Sequence, residues 1–375
     1  MKILFVLGAR SEWGYIKPVY LEAQRRGFQP QIWACNTAAL QSYGDLAKGL
    51  ALEGFDLVGI STTSFEGSSR YGMAKSVAAV TSSFADCISH VRPTWVVLAG
   101  DRAEQLGAAI ASTFQSIPTA HIQAGERSGN IDGMTRHAIG RLVHLHFAAN
   151  DDAAERLEKS GEEPWRIIRS GAPQLDGLLF DSRSEKSLEI QNLTKVENYI
   201  LGIYHPVTTS DTAEAEGLES LMTQLAELPA PTYWIAPNND AGASEIRKTI
   251  LNGTKPTDRF IENLDRQSFA QLLSGALALV GNSSAGILEA PTFGIPSLNI
   301  GSRQADRLRG RNVIDTGIEM LEVAKNLKKV LDPAFRASLI GMRSPYGDGR
   351  SAKRIVNSLE LQIEKKNLLV KKMEY

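Results

Sequence analysis

The sequence predicts an α/β protein of two Rossmann-like, doubly wound domains, and three observations carry that prediction. Short, continuous apolar runs recur along the chain and suit strands buried on both faces. Stretches of helical character separate them, which is the βαβ rhythm of a parallel sheet. The rhythm thins over the polar stretch Phe180–Asn198, a linker or else a surface helix with ragged edges, and then restarts, so the chain divides into two such halves.

The first half opens with the run KILFVLG, Lys2–Gly8. A helical stretch over Trp13–Gly27 and a strand PQIWAC, Pro30–Cys35, follow. FDLVGIS (Phe55–Ser61) is the next strand, then a helix near Tyr71–His90, and TWVVLAG (Thr94–Gly100). A helix near Ala103–Phe114 leads to PTAHIQ, Pro118–Gln123. In the second half, YILGIYHP (Tyr199–Pro206) and PTYWIAP (Pro231–Pro237) read as strands around a helix at Ala213–Leu228. A helix near Ala243–Asn252 follows. ALALVGNSSAGILEA, Ala276–Ala290, reads as strand, turn and helix, and IPSLNIG, Ile295–Gly301, as a further strand. Residues 1–180 form the expected N-terminal domain and 198–355 the C-terminal one. Residues 356–375 belong to an amphipathic helix, a candidate to pack back on the first domain. Ligands of such folds bind outside the strand C-termini, here expected between the halves.

Composition narrows the function classes. A chain of 375 residues with 43% apolar residues fits two ordinary domains. A net charge of −1 argues against nucleic-acid binding by bulk electrostatics. The two cysteines, Cys35 and Cys87, match no zinc spacing and no disulfide framework. The N-terminal apolar run is too short to span a membrane and ends in no signal-cleavage pattern. A soluble, cytoplasmic protein without a membrane partner is expected.

Chemistry-bearing residues gather where the strands end. After Gly281 the chain offers Asn282, Ser283, Ser284 and Gly286 before a helix-forming run. Small residues there let backbone N–H groups approach a phosphate, although a serine cap uses the same geometry. Glu289, one turn on, is placed to accept from sugar hydroxyls. Arg303, Arg307, Arg309 and Arg311 fall within nine residues, a diphosphate-binding loop or a solvated basic one. Arg10 sits where a nicotinamide fingerprint would have glycines, so that cofactor is disfavoured. Ser11 is a possible N-cap. Asp101 is either an acid/base group or a helix cap. Glu126, Asp132, Arg136 and His137 follow the next strand, and Asp132 is alternatively the N-cap of a helix from Gly133. His121, His144 and His146 complete no zinc set. His205 is a phosphate donor or a packing histidine.

Taken together the motifs resemble a family. GARSE, GDRAEQ, HIQAGERSGNIDGMTRHAI, YHPVTT, PNNDAG, GNSSAGILEAP and NIGSRQADRLRGRNVID stand in the order seen in hydrolysing UDP-N-acetylglucosamine 2-epimerases, over Met1 to about Ser358. The related UDP-2,4-diacetamido-2,4,6-trideoxyglucose 2-epimerases belong to the same group. The resemblance implies two domains of the glycosyltransferase-B type facing a cleft. It implies loss of UDP through a glycal, addition of water, and a free manno-configured sugar for sialic or legionaminic acid synthesis. No cofactor or metal is implied, and a homodimer or homotetramer is. By motif match, Asp101, Glu126, Asp132, Arg136 and Gln123 are catalytic candidates, with His137 supporting them. Arg10, His205, Asn239, Ser283, Ser284, Gly286, Glu289 and Arg303 are candidates for holding UDP.

Three departures from the family pattern stand out. Gln123 occupies a position that is glutamate in many members, and an amide cannot take up a proton. Gln123 therefore orients the sugar, or the role has passed to Glu126 or Asp101. Ala285 replaces a serine and Ala124 a glycine. Trp13 and Tyr15 either line a less polar sugar pocket or pack in the core. Non-hydrolysing 2-epimerases, glycosyltransferases and a catalytically dead nucleotide-sugar binder are the alternatives. The GERSGNID and Arg-His-Ala-Ile elements favour the hydrolysing group.

Overall fold

A computed structural model describes residues 1–41, 44–63, 70–127, 131–207, 213–237, 242–262 and 264–372. The chain forms two compact units, Met1–Asp176 with Gly349–Tyr375, and Gly177–Asp348.

The first unit holds β1 (Lys2–Leu7), β2 (Gln29–Cys35), β3 (Leu57–Ser61), β4 (Trp95–Ala99), β5 (Thr119–Ile122), β6 (Leu145–Ala148) and β7 (Ile167–Arg169). They lie parallel in the order β3-β2-β1-β4-β5-β6-β7. The winding reverses between β1 and β4, the switch point at which doubly wound sheets open a crevice. Its longer helices are α1 (Arg10–Arg25), α2 (Leu46–Leu52), α3 (Arg70–Val91), α4 (Ala103–Phe114), α5 (Ile131–Leu142) and α6 (Asp151–Lys159).

Both sheet faces are covered, which is why the strands read as unbroken apolar runs. Ile3, Phe5 and Leu7 meet Ile16, Val19 and Tyr20 of α1 and Ile355, Val356 and Leu359 of the helix Ser351–Gln362. Leu4 and Val6 meet Val80, Phe84 and Ile88 of α3 on the other face. α3 and α4 pack closely because Gly107 carries no side chain: a Cβ there would stand 3.0 Å from the Val77 carbonyl. Trp13 packs edge-on against Phe55 at 4.9 Å, and Tyr15 joins the same core, so the packing alternative holds for both.

The helix Ser351–Gln362 belongs to the first unit. Asp176 accepts from the Ser351 and Ala352 amides at its start, 2.9 and 2.6 Å. The expected helix does not run to the C-terminus. Beyond Gln362 the tail lies on the buried Arg166, whose guanidinium donates to the Asn367, Leu368 and Val370 carbonyls at 2.8–3.2 Å. Lys371 reaches the buried Glu162 at 2.7 Å.

The second unit repeats the plan with β8 (Ile200–Ile203), β9 (Thr232–Ile235), β10 (Arg259–Ile261), β11 (Leu279–Gly281), β12 (Ser297–Ile300) and β13 (Val313–Thr316). All pairs are parallel, in the order β10-β9-β8-β11-β12-β13. The stretch expected to be a linker, Phe180–Asn198, is partly helical and lies in this unit. Ile190 is buried, and Asp181 pairs with Arg266 at 2.8 Å. β7, β10 and β13 were not legible because edge strands of three or four residues carry too short a pattern. No helix among the described residues is long and apolar enough to cross a membrane.

Candidate active site

Four of the predicted residues converge where β4 and β5 end. Asp101 follows β4. It does not cap α4, whose N-cap is Arg102 with no side-chain bond; it accepts from Arg136 Nη2 at 2.5 Å instead. Arg136 comes from α5, is buried, and donates through Nη1 to the Glu126 carbonyl at 3.0 Å. One guanidinium thus joins the loop after β4 to the loop after β5. Gln123, buried at φ +63°, turns its amide onto Glu126: Nε2 lies 3.1 and 3.2 Å from the two carboxylate oxygens. That orientation gives the Glu126 carboxylate a donor, whereas the reverse would set the Gln123 oxygen against it.

The loop Gln123–Glu126 is pressed onto α6. A Cβ on Gly125 would stand 2.4 Å from the Ala153 carbonyl, and Gly125 has φ +76°. Only glycine meets both conditions. Two residues not expected from sequence complete the cluster. Asn150 donates to Glu126 Oε1 at 3.2 Å, and Gln174 faces Gln123. Gln174 lies 51 residues beyond Gln123, in the short 3-10 turn Pro173–Leu175 that carries no motif, so nothing local marked it.

Asp132 lies in the first turn of α5, which starts at Ile131, so it is not the cap of a helix from Gly133. Its side chain is outside the described residues. His121 is fully buried, and its Nε2 donates to the Gly100 carbonyl at 2.6 Å. Burial holds its pKa down to about 3, so the ring is a neutral strut between loops. His146 pairs with Glu162 and His144 Nδ1 accepts from the Thr119 amide, so each has a structural partner. Burial, with Arg136 nearby, also lowers the His137 pKa. No group of three metal-ligating side chains occurs among the described residues.

At the switch point itself stands an unexpected pair of buried carboxyl groups. Glu12 accepts from the Gly8 and Ala9 amides at 2.6 and 3.2 Å, closing the start of α1 on its N-cap Ala9 rather than Ser11. Glu104 accepts from Asn36 and from Arg102. Burial, reinforced by the charge of Glu104, pushes the Glu12 pKa up to about 8. Glu12 is therefore protonated in the folded state and ionised in the unfolded chain between about pH 4.5 and 8, and its own contribution to stability falls as pH rises through that window. Glu12→Gln keeps the acceptor for Gly8 and removes the titration. Its melting temperature is expected to gain on that of the wild type as pH rises through the same window; a difference that stays constant with pH in thermal scans assigns the pH dependence elsewhere. Arg10 is exposed at the first position of α1.

In the second unit, the predicted residues gather at the equivalent switch point, between β8 and β11. The fully buried Asn282 ties the two strand ends: its Oδ1 accepts from the His205 amide at 2.7 Å and its Nδ2 donates to the His205 carbonyl at 2.8 Å. Arg303 and Gln304 donate to the Asn282 carbonyl at 3.3 and 3.0 Å. Ser283 Oγ accepts from the Ala285 amide at 3.3 Å, and Ser284 is an N-cap without a side-chain bond. The expected helix is two four-residue turns, Ala285–Leu288 and Ala290–Phe293, broken around Glu289 and Pro291. Gly286 lets this segment touch β12, since a Cβ would stand 2.1 Å from Ser297 Oγ. Burial raises the Glu289 pKa, and its Oε2 has no partner among the described residues. Asn239 lies outside the described residues.

Comparisons with known proteins agree with this fold. The family model described as UDP-N-acetylglucosamine 2-epimerase matches residues 22–360. A UDP-N,N'-diacetylbacillosamine 2-epimerase (hydrolyzing) of Legionella pneumophila is 31% identical over 96% of this chain and 95% of its own. A GDP/UDP-N,N'-diacetylbacillosamine 2-epimerase (hydrolyzing) of Campylobacter jejuni is 30% identical over 86% of each. The crystal structure of UDP-GlcNAc 2-epimerase from Neisseria meningitidis bound to UDP-GlcNAc superposes with a TM-score of 0.81 at 20% identity, covering 96% of this chain and 100% of that one. Two parallel α/β sheets, strand-end loops bearing the family's motifs and a match over most of the sequence lead to one conclusion: the chain belongs to the UDP-N-acetylglucosamine 2-epimerase family.

Proposed function

We propose that the protein is a hydrolysing 2-epimerase of a UDP-2-acetamido sugar, releasing UDP and the free manno-configured sugar. The observation that carries this is the chain Asp101–Arg136–Glu126, which concentrates acid/base groups and a fixed cation at the ends of β4 and β5. The segment that supplies Glu126 and Arg136 is also where the sequence follows the hydrolysing group. Two relatives at 30–31% identity bear hydrolysing names, which supports the same reading.

In this reading UDP is held by His205, Ser283, Ser284, Gly286, Glu289 and Arg303, with Arg10 and Asn239. The buried Glu289 oxygen, which has no partner among the described residues, suits a hydroxyl donor such as the ribose. Asp101, Glu126 and Asp132 serve the proton transfers at C2, and Arg136 holds two of them in register. Substrates are UDP-N-acetylglucosamine or UDP-N,N'-diacetylbacillosamine, the enzyme works in the cytoplasm as a homo-oligomer, and its product feeds nonulosonic acid synthesis.

Proton NMR of either UDP-sugar with enzyme in D2O tests the function. Free manno sugar deuterated at C2, with stoichiometric UDP, is the expected result. Interconversion of the UDP-sugars without UDP release overturns hydrolysis, and no change of either sugar overturns epimerisation.

A further inference from the structure

The carboxylate of Glu126 is 7% exposed and is met by neutral amides. Each amide is aimed from behind. The Asn150 Oδ1 accepts from the Ala153 amide at 2.8 Å as the N-cap of α6, which leaves Nδ2 for Glu126. The Gln123 carbonyl oxygen then lies 3.1 and 3.3 Å from the two polar atoms of the Gln174 amide, whose N–H₂ is the donor to it, which leaves its own Nε2 for both oxygens of Glu126. The left-handed backbone at Gln123 and the pressed glycine at Gly125 hold that side chain over Glu126.

A carboxylate accepting amide N–H bonds favours its charged form. A second carboxyl group at position 123 would stand about 3 Å from the first, and such pairs share a proton because both cannot ionise. The amide at 123 removes that competition, since it donates but never takes a proton.

We propose that Gln123, Gln174 and Asn150 are positioning residues that hold Glu126 as an ionised proton acceptor, and that Glu126 removes the C2 proton of the UDP-sugar. This rests on the 2-epimerase reading and adds to it the identity of the base. The C2–H electron pair becomes the second bond between C1 and C2. The C1–O bond breaks with its pair leaving on UDP, and the proton stays on Glu126.

The pH profile of kcat/KM tests the clamp, using whichever of the two UDP-sugars the wild type converts. Gln123→Glu is expected to raise the apparent pKa of the acidic limb by at least about one unit, cutting the rate at the acidic end about tenfold while the alkaline end recovers. Gln174→Met, which frees the Gln123 amide to turn, is expected to move the same limb in the same direction by less. Glu126→Gln is expected to abolish deuterium incorporation at C2. A lower rate with an unmoved acidic limb in Gln123→Glu means a merely structural role and overturns the clamp. Deuterium incorporation at the wild-type rate in Glu126→Gln overturns the base. If the wild type converts neither sugar, it is the 2-epimerase reading that fails. The clamp is then judged in the resting protein by carbon-13 NMR titration of labelled glutamate carboxyls, with Glu126→Gln as the assignment control. A wild-type Glu126 titrating below about 4.3 supports the clamp, and one at or above it overturns the clamp, whatever the variants do.

Discussion

Asp101→Asn is expected to lower kcat about 10^3-fold while UDP still binds with wild-type affinity. Proton transfer by a positioned side chain contributes about 10^2- to 10^4-fold, and Asp101 is also the counter-charge of Arg136. The asparagine keeps the shape and one acceptor, so Arg136 retains a partner in addition to the Glu126 carbonyl. The loss is therefore one of chemistry and charge rather than of fold. The residues assigned to UDP, Arg10 apart, belong to the second unit, so the nucleotide has no reason to leave. Single-turnover kinetics with calorimetric UDP titration separate the two effects. Wild-type turnover removes Asp101 from the machinery, and a parallel loss of UDP affinity makes it a binding residue.

Arg166→Met is expected to cost about 3–5 kcal/mol of stability and to release the C-terminal tail. The Arg166 side chain is fully buried and satisfied on every side. Nε pairs with Glu163 at 2.6 Å, and the two terminal nitrogens hold the carbonyls of His144, Asn367, Leu368 and Val370. Methionine fills part of the volume but leaves four carbonyls without that donor. Lys371 then loses the geometry that sets it against Glu162, and Leu368 loses its seat. Chemical denaturation measures the cost, and limited proteolysis reads the tail. A midpoint within about 0.5 kcal/mol of wild type shows that the tail docks without Arg166.

Much of the fold could be read from pattern alone. Strands buried on both faces leave continuous apolar runs, so β1, β2, β4 and β8 were visible, and the helix α4 was expected over the residues it occupies. The motifs also marked the strand ends, because ligands of doubly wound sheets bind outside the carboxyl ends of the strands. The failures share a cause. Edge strands are short, the stretch Phe180–Asn198 hides helices behind polar composition, and the tail after Gln362 keeps a helical pattern while it follows Arg166.

The same division holds within the site. Sequence by itself determined the family, the two-sheet architecture and the residue types at the strand ends, because those are set by local pattern and motif order. Only the tertiary structure decided what each side chain does with its neighbours. By its position in sequence Asp101 was a helix cap or an acid/base group, and the guanidinium of Arg136, 35 residues away, set its partner. Gln123 stands out in sequence only as an amide, and its contacts with Gln174 and Glu126 come from the fold. Glu12 and Glu104 carry no signal of burial in sequence, yet folding brings them into one another's field at the switch point. Hydrogen-bond partners and desolvation depend on contacts between distant segments, and no local pattern encodes those.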